Sequence, residues 1–389
     1  MRILLVHSVY RGSSPSGENN VVSQEAQLLK SAGYEVALWD PASPTDPSVR
    51  TKIKTGVAAL WATGQDPNDL IQDFEPDLIH IHNLFPQVGT QWLAKTRVPK
   101  VITFHNYRLK CASGVFFRDS KRCTDCLDGS RLKAIQHKCY QGSRAATLSV
   151  LSHQNHLRAA LREHIDMAIF TSEFSKGLLA PEFPRCPSII LPNYVAPLVQ
   201  SSVHEPIHPS TNDAAGRGTY FVTVGRLSEE KGIDQLIRDW PPSERLVIVG
   251  DGSLRSHLEE LAAGTPIEFR GFIPESERDA LIRDARALIL PSVTPEVDPV
   301  SVAQALSVGT PCIVRSQTAS ADYAASCTAI RVYDDPESLK GTLAQLRTRQ
   351  ELSPVAQIFY ESRWSAASWL RGFEQGVLIP MTGRKGGPA

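Results

Sequence analysis

Short apolar runs of strand length recur along this chain, separated by stretches with helical periodicity. RILLVHS (2–8) precedes the helical pattern VVSQEAQLLKSAG (21–33), and EVALWD (35–40) follows it. PDLIHIHN (76–83), KVITFHN (100–106), DMAIFTS (166–172) and PSIILPN (187–193) continue the series. These runs are continuous rather than alternating, as expected of strands in a parallel sheet covered by helices on both faces. Residues 201–218 are polar and aperiodic, which predicts a linker. The pattern then restarts with TYFVTVGR (219–226), ERLVIVGDG (244–252), IEFRGF (267–272), ARALILPS (285–292) and PCIVRS (311–316). Helical segments are predicted at 232–240, 253–263, 275–284 and 299–308. The expected fold is α/β: two doubly wound domains facing one another, spanning 1–200 and 219–353. A helix pair at 354–378 and a tail at 379–389 complete the chain.

Ligands of such sheets bind outside the carboxyl ends of the strands, so the residues just after each strand carry the chemistry. The stretch from Pro291 to Pro311 reads as a strand end, a polar turn and a helix that opens near Pro299 and closes at Gly309. That arrangement aims backbone N–H groups and the positive end of a helix dipole forward. Glu296 lies in the turn and Gln304 eight positions later, which predicts a ligand bearing both phosphates and hydroxyls. Arg226 and Lys231 flank the turn after TYFVTVGR and together can neutralise a diphosphate without a metal. The competing reading pairs them with Glu229 or Glu230 at the surface. His105 follows KVITF and would point into the crevice, unless it is a satisfied strand-end histidine. His82 and Asn83 end a strand on the same side, where core or rim structure is an equal reading.

Bulk composition changes this picture little. The 389 residues are 42% hydrophobic and 21% charged, as in an ordinary soluble protein. No apolar run is long enough to span a membrane, and the opening residues show no signal-peptide pattern. A cytoplasmic location is expected, with peripheral contact at the inner face of the membrane as the variant. Net charge is zero and no nucleic-acid partner is expected, but residues 95–144 hold 12 basic against 3 acidic residues. That segment is either a solvated face or a contact for an anionic partner such as a membrane surface. Four of the seven cysteines, Cys111, Cys123, Cys126 and Cys139, fall in the same region, within the excursion 107–144. Four thiolates suit a structural zinc; free buried thiols and disulfides are the alternatives, and a catalytic thiol is not expected.

GRLSEEKG, VIVGDG, FRGFIP and the Glu296 turn with QALSVGTP, in that order, resemble the donor half of the family 4 glycosyltransferases. The first half is similar too, through a loop ending Ser16-Gly17-Glu18, PDLIHIHNLF, TFHNYRLKC and ILPN, so that the resemblance spans about residues 1–376. It implies the GT-B fold, with C-terminal helices packing back toward the N-terminal domain, and retention of anomeric configuration. Arg226 and Lys231 would then hold the nucleotide diphosphate, Glu296 the donor sugar, and the backbone from Gly271 to Ile273 the base. Gly17 would let the first loop approach the donor phosphates, and His105 would contact the transferred sugar near the reacting carbon. The position of Gln304 is normally a second Glu that grips the ribose, and the turn after Glu296, normally glycine-containing, is Val297-Asp298-Pro299.

The implied reaction is metal-independent, front-face transfer of a hexosyl or related group from a nucleotide-diphosphate sugar to a glycan or lipid-linked acceptor. Its expected setting is cell-surface polysaccharide or glycoconjugate synthesis, with no catalytic cofactor. A catalytically impaired sugar-nucleotide-binding protein and a nucleotide-sugar epimerase on this architecture are the alternatives.

Overall fold

In the computed structural model the described residues are 1–9, 17–41, 56–58, 60–198, 218–346 and 351–383. Ser16, the linker positions 201–217 and the tail 384–389 lie outside them.

The chain forms two compact units, Met1–Arg118 with Arg122–Tyr194 and Ala366–Ala389, and Asp119–Lys121 with Val195–Ser365. Within residues 1–194 the strands are β1 (Arg2–His7), β2 (Glu35–Trp39), β3 (Leu78–Asn83) and β4 (Lys100–Phe104), then a short hairpin of β5 (Phe117–Arg118) and β6 (Lys121–Arg122), then β7 (Met167–Phe170) and β8 (Ser188–Ile190). The six-stranded sheet runs β2-β1-β3-β4-β7-β8, all parallel. Its central strands are buried on both faces, every residue of β3 included, which is why they read as unbroken apolar runs.

The second unit holds β9 (Phe221–Val224), β10 (Leu246–Val249), β11 (Ile267–Gly271), β12 (Ala287–Leu290), β13 (Cys312–Arg315) and β14 (Ile330–Tyr333). Its order is β11-β10-β9-β12-β13-β14, again all parallel. In chain order that is 3-2-1-4-5-6, the dinucleotide-fold arrangement, whose direction reverses between β9 and β12. In the first sheet the reversal falls between β1 and β3. These two switch points are where connecting loops diverge and leave a crevice for a ligand.

The C-terminal helices divide between the units. Ser353–Arg363 packs with the second unit, through Ala356, Tyr360 and the fully buried Trp364 that follows. Ala366–Phe373 returns to the first, burying Trp369 and Phe373 with Ile3, Leu5 and Leu78. The Tyr34 hydroxyl donates to Glu374 at 2.7 Å and ties this segment down. The two tryptophans of one apparent helix pair thus belong to different cores.

Several elements escape the periodicity reading. The helix at the first loop runs Gly17–Ser31, so Gly17 is its first residue rather than part of a loop, and nothing approaches its Cβ position within 4 Å. β14 and the helix Pro336–Gln345 follow the last predicted strand; Asp335 and Ser338 cap that helix reciprocally. The 21-residue helix Arg144–His164 is announced only by its N-cap, Ser143, whose hydroxyl accepts from the Ala146 N–H at 3.3 Å.

Candidate functional site

At the switch point of the second sheet, two loops are locked together by backbone. Gly232 has φ 65°, and a Cβ there would sit 2.4 Å from the Pro291 carbonyl oxygen. The Val293 N–H donates to the Glu230 carbonyl at 3.1 Å. Only glycine lets the loop after β9 lie this close to the loop after β12. The consequence is chemical. Lys231 Nζ donates to Glu296 Oε1 at 2.6 Å, and Ser292 Oγ donates to the same oxygen. The carboxylate partner of Lys231 is therefore Glu296, 65 positions away, and not Glu229 or Glu230. Glu230 instead accepts from the Ser228 hydroxyl at 2.7 Å.

Burial alone would raise the pKa of Glu296. Lys231, the Ser292 hydroxyl and, more weakly, Arg226 overcome that and hold it below the usual range. Glu296 is thus an anion at neutral pH, with the exposed Arg226 acting on it. The turn beyond it is anchored by a residue invisible to motif reasoning: the Trp364 indole N–H donates to Asp298 Oδ1 at 3.2 Å in the buried interior. The following helix, Val300–Ser307, opens after Pro299 and carries the partly exposed Gln304. Gly271 has φ 68° at the end of β11, where its carbonyl accepts from the Gly250 N–H at 2.9 Å. Ile273 packs against the core while Phe272, between them, is 70% exposed.

The carboxyl ends of the first sheet gather a cluster of histidines around one acid. Glu25, on the helix Gly17–Ser31, is 3% exposed. His80 Nδ1 lies 2.8 Å and His82 Nε2 3.4 Å from Glu25 Oε1. His82 Nδ1 lies 2.9 Å from His105 Nε2, and His80 Nε2 2.7 Å from Thr103 Oγ1. The rings of His80 and His82 sit 4.1 Å apart, and Phe373 of the C-terminal segment stacks on His80 at 5.5 Å. His7 contacts Asn19 at 2.8 Å, and the Asn106 amide donates to Glu18 at 3.4 Å. Sequence reasoning names His105 and His82; Glu25 and His80 become neighbours of it only through the helix packing on the sheet.

Among the described residues, Glu25, His80 and His82 are the one set of three or more candidate metal-ligand atoms lying within 4.8 Å of one another. His80 Nδ1 is within hydrogen-bond length of Glu25 Oε1, while His82 Nε2, at 3.4 Å, lies just beyond it. The four cysteines of the excursion are free thiols, Cys111 buried and the others partly so. Burial and then Cys111, Cys139 and Cys123 push the Cys126 thiol up to about 11, so the four sense one another electrostatically. As they stand, no three of them lie within that 4.8 Å spacing.

Burial lowers His7 to about 4, and burial likewise lowers His82 and His105. These rings are neutral in the fold but charge when unfolded below pH 6.5. Their stabilisation is complete above that pH and is lost as pH falls toward 4; His7 alone accounts for about 3 kcal/mol. Glu18, raised to about 7 by burial, works the other way, stabilising below pH 4.5 and losing that as pH rises through 7. Three histidines outweigh one acid, so the melting temperature is expected to fall between pH 6.5 and 4.5. Melts that stay level or rise over that window would contradict neutral buried rings.

Comparison with known proteins bears on the family and the fold. The Glycosyltransferase Family 4 model matches residues 15–197 and the Glycosyl transferases group 1 model residues 218–348. A GDP-mannose-dependent alpha-(1-6)-phosphatidylinositol dimannoside mannosyltransferase of Mycobacterium tuberculosis is 30% identical over 137 residues, a stretch covering 34% of this chain and 36% of that relative. The structure of sucrose-phosphate synthase from Thermosynechococcus elongatus superposes with a TM-score of 0.68 at 16% identity, covering 98% of this chain and all of that one. HepE of Anabaena, solved in complex with UDP, gives a TM-score of 0.59 at 13% identity, covering 97% and 100%. Matched by a family model in each half and by this fold over nearly its whole length, the chain belongs to the group 1/family 4 glycosyltransferases and has the GT-B fold.

Proposed function

We propose that this glycosyltransferase is a retaining enzyme that moves a hexosyl or related group from a nucleotide-diphosphate sugar to a glycan or lipid-linked acceptor. The observation that carries the reading is the Lys231–Glu296 pair at the switch point, with Arg226 beside it. Lys231 and Arg226 supply positive charge for a leaving diphosphate, so the step needs no metal. Glu296 offers an anion to sugar hydroxyls, the Gly271–Ile273 backbone faces the base, and Gln304 serves the ribose with an amide that both donates and accepts. His105 contacts the transferred sugar. The leaving diphosphate stays on the face of the departing sugar and assists removal of the acceptor proton. A UDP-bound neighbour of this fold and a GDP-mannose-dependent relative support a nucleotide sugar as donor.

The setting we propose is cell-surface glycoconjugate synthesis, with the basic excursion resting on an anionic membrane. No helix among the described residues is long and apolar enough to cross a membrane. Leu132, 67% exposed, and Lys133 would face the lipid. A zinc ion drawing Cys111, Cys123, Cys126 and Cys139 together would staple that excursion, and the metal content of the purified protein tests it.

Thermal melts against UDP-, GDP- and ADP-sugars identify the donor, since a ligand at 100 times its Kd stabilises by about 2.7 kcal/mol. The expected result is one base series that raises the melting temperature and is consumed with acceptor. The Gln304 position favours one second reading, a sugar-nucleotide-binding protein with little turnover; donor binding without transfer or hydrolysis would establish it. Isomerised free donor would make the protein an epimerase instead.

A further inference from the structure

We infer that Glu25 and His82 are positioning residues that fix the tautomer of His105, making its Nδ1 a hydrogen-bond acceptor for a sugar hydroxyl. His82 Nδ1 and His105 Nε2 lie 2.9 Å apart, so one of these two nitrogens carries a proton and the other a lone pair. If His82 Nδ1 carried it, the neutral ring would turn a lone pair on Nε2 toward Glu25 Oε1 at 3.4 Å. A lone pair facing a buried carboxylate is repulsive, and Glu25 is a carboxylate: burial would raise it, but His82 and His80 hold it far below the usual range. The other arrangement removes that repulsion. A proton on His82 Nε2 turns the positive end of an N–H dipole toward Glu25 Oε1, 3.4 Å away, and His82 Nδ1 accepts from His105 Nε2–H, which leaves His105 Nδ1 with its lone pair.

His80 completes the support. Its Nδ1 lies 2.8 Å from the same Glu25 oxygen, and with the proton on Nδ1 its Nε2 accepts from the Thr103 hydroxyl at 2.7 Å. Phe373 stacked on His80 closes the buried side of the cluster. The charged and titratable groups that act on His105 are His82, Glu25, His7 and His80, and the sum with burial keeps His105 neutral. A neutral ring with an unprotonated Nδ1 accepts from a hydroxyl there and gives a phosphate oxygen no donor. His105 therefore recognises the sugar and not the diphosphate. This consequence for transfer rests on the reading of His105 as a sugar contact; the tautomer itself does not.

The test needs no substrate. Long-range 1H–15N correlation spectra of the histidine-labelled full chain at pH 7, with His105 assigned by its loss in His105→Gln, should show His105 protonated at Nε2 and bare at Nδ1. An Nδ1–H tautomer or an imidazolium at that pH overturns the proposal. In Glu25→Gln the amide can turn either its oxygen or its N–H toward His82, so the His105 signals are expected to split between tautomers. Once an acceptor is known, kcat should fall about 10- to 100-fold with donor KM changed less than about 3-fold, and Glu25→Asp should recover part of it. An unaltered His105 tautomer in a folded Glu25→Gln chain also overturns the proposal. If Glu25→Gln does not fold, the wild-type spectrum alone decides. Absence of transfer on every acceptor, with the Nε2–H tautomer in place, would sink the function and leave the proton arrangement standing.

Discussion

Glu296→Gln is expected to lower kcat/KM about 100- to 1000-fold while leaving the fold intact. The substitution keeps the side chain's size and its ability to accept from Lys231 and Ser292, which now hold the carboxylate. What it removes is the negative charge. If that charge bonds sugar hydroxyls more strongly as positive charge develops at the reacting carbon, its loss falls on the transition state and appears in kcat. Lys231→Ala should behave differently, since it leaves Glu296 partly buried without its closest cation and so destabilises as well as slowing transfer. Steady-state kinetics with melts of the same preparations separate the two. A Glu296→Gln protein with wild-type kinetics would remove this residue from the reaction.

The second large effect is structural and lies far along the chain from the motifs. Trp364→Ala is expected to destabilise the second unit by about 3–5 kcal/mol, the usual range for deleting a buried tryptophan. Trp364 is fully buried, with edge contacts to Tyr323 at 5.5 Å and Phe359 at 5.6 Å. For a unit of this size that corresponds to a fall of about 10–15 °C in melting temperature. Trp364→Phe is the more informative change. It keeps most of the ring but withdraws the indole donor from Asp298, two positions beyond Glu296. A loss of donor affinity greater than the loss of stability is expected, because the turn that presents Glu296 loses an anchor. Wild-type donor binding in a folded Trp364→Phe protein would show that the anchor does not serve the turn.

Both predictions depend on contacts that join distant parts of the chain, and this marks how far the sequence can be read. Strand and helix alternation, the helix between Pro299 and Gly309, and the positions of Arg226, Lys231, Glu296 and His105 just after strands were all legible. They follow from local rules, namely the periodicity of buried strands, helix stop signals and the tendency of ligands to sit at strand ends. β14 and the helix Pro336–Gln345 were less legible, since β14 is a four-residue strand and that helix carries only a weak apolar stripe.

Pairings were beyond reach for a different reason. Lys231 has two acids adjacent in sequence, yet Gly232 lets its loop lie against Pro291 and delivers it to Glu296. Nothing in EVDP announces that Asp298 is held by a tryptophan 66 positions later. Glu25 reads as one more polar residue of an amphipathic helix until that helix packs on the sheet and sets it against His80 and His82. Local backbone preference determines which elements form and where their ends fall. Which charges meet is decided by how those elements pack, because burial and separation set an ion pair's strength and neither is a property of the chain in one dimension.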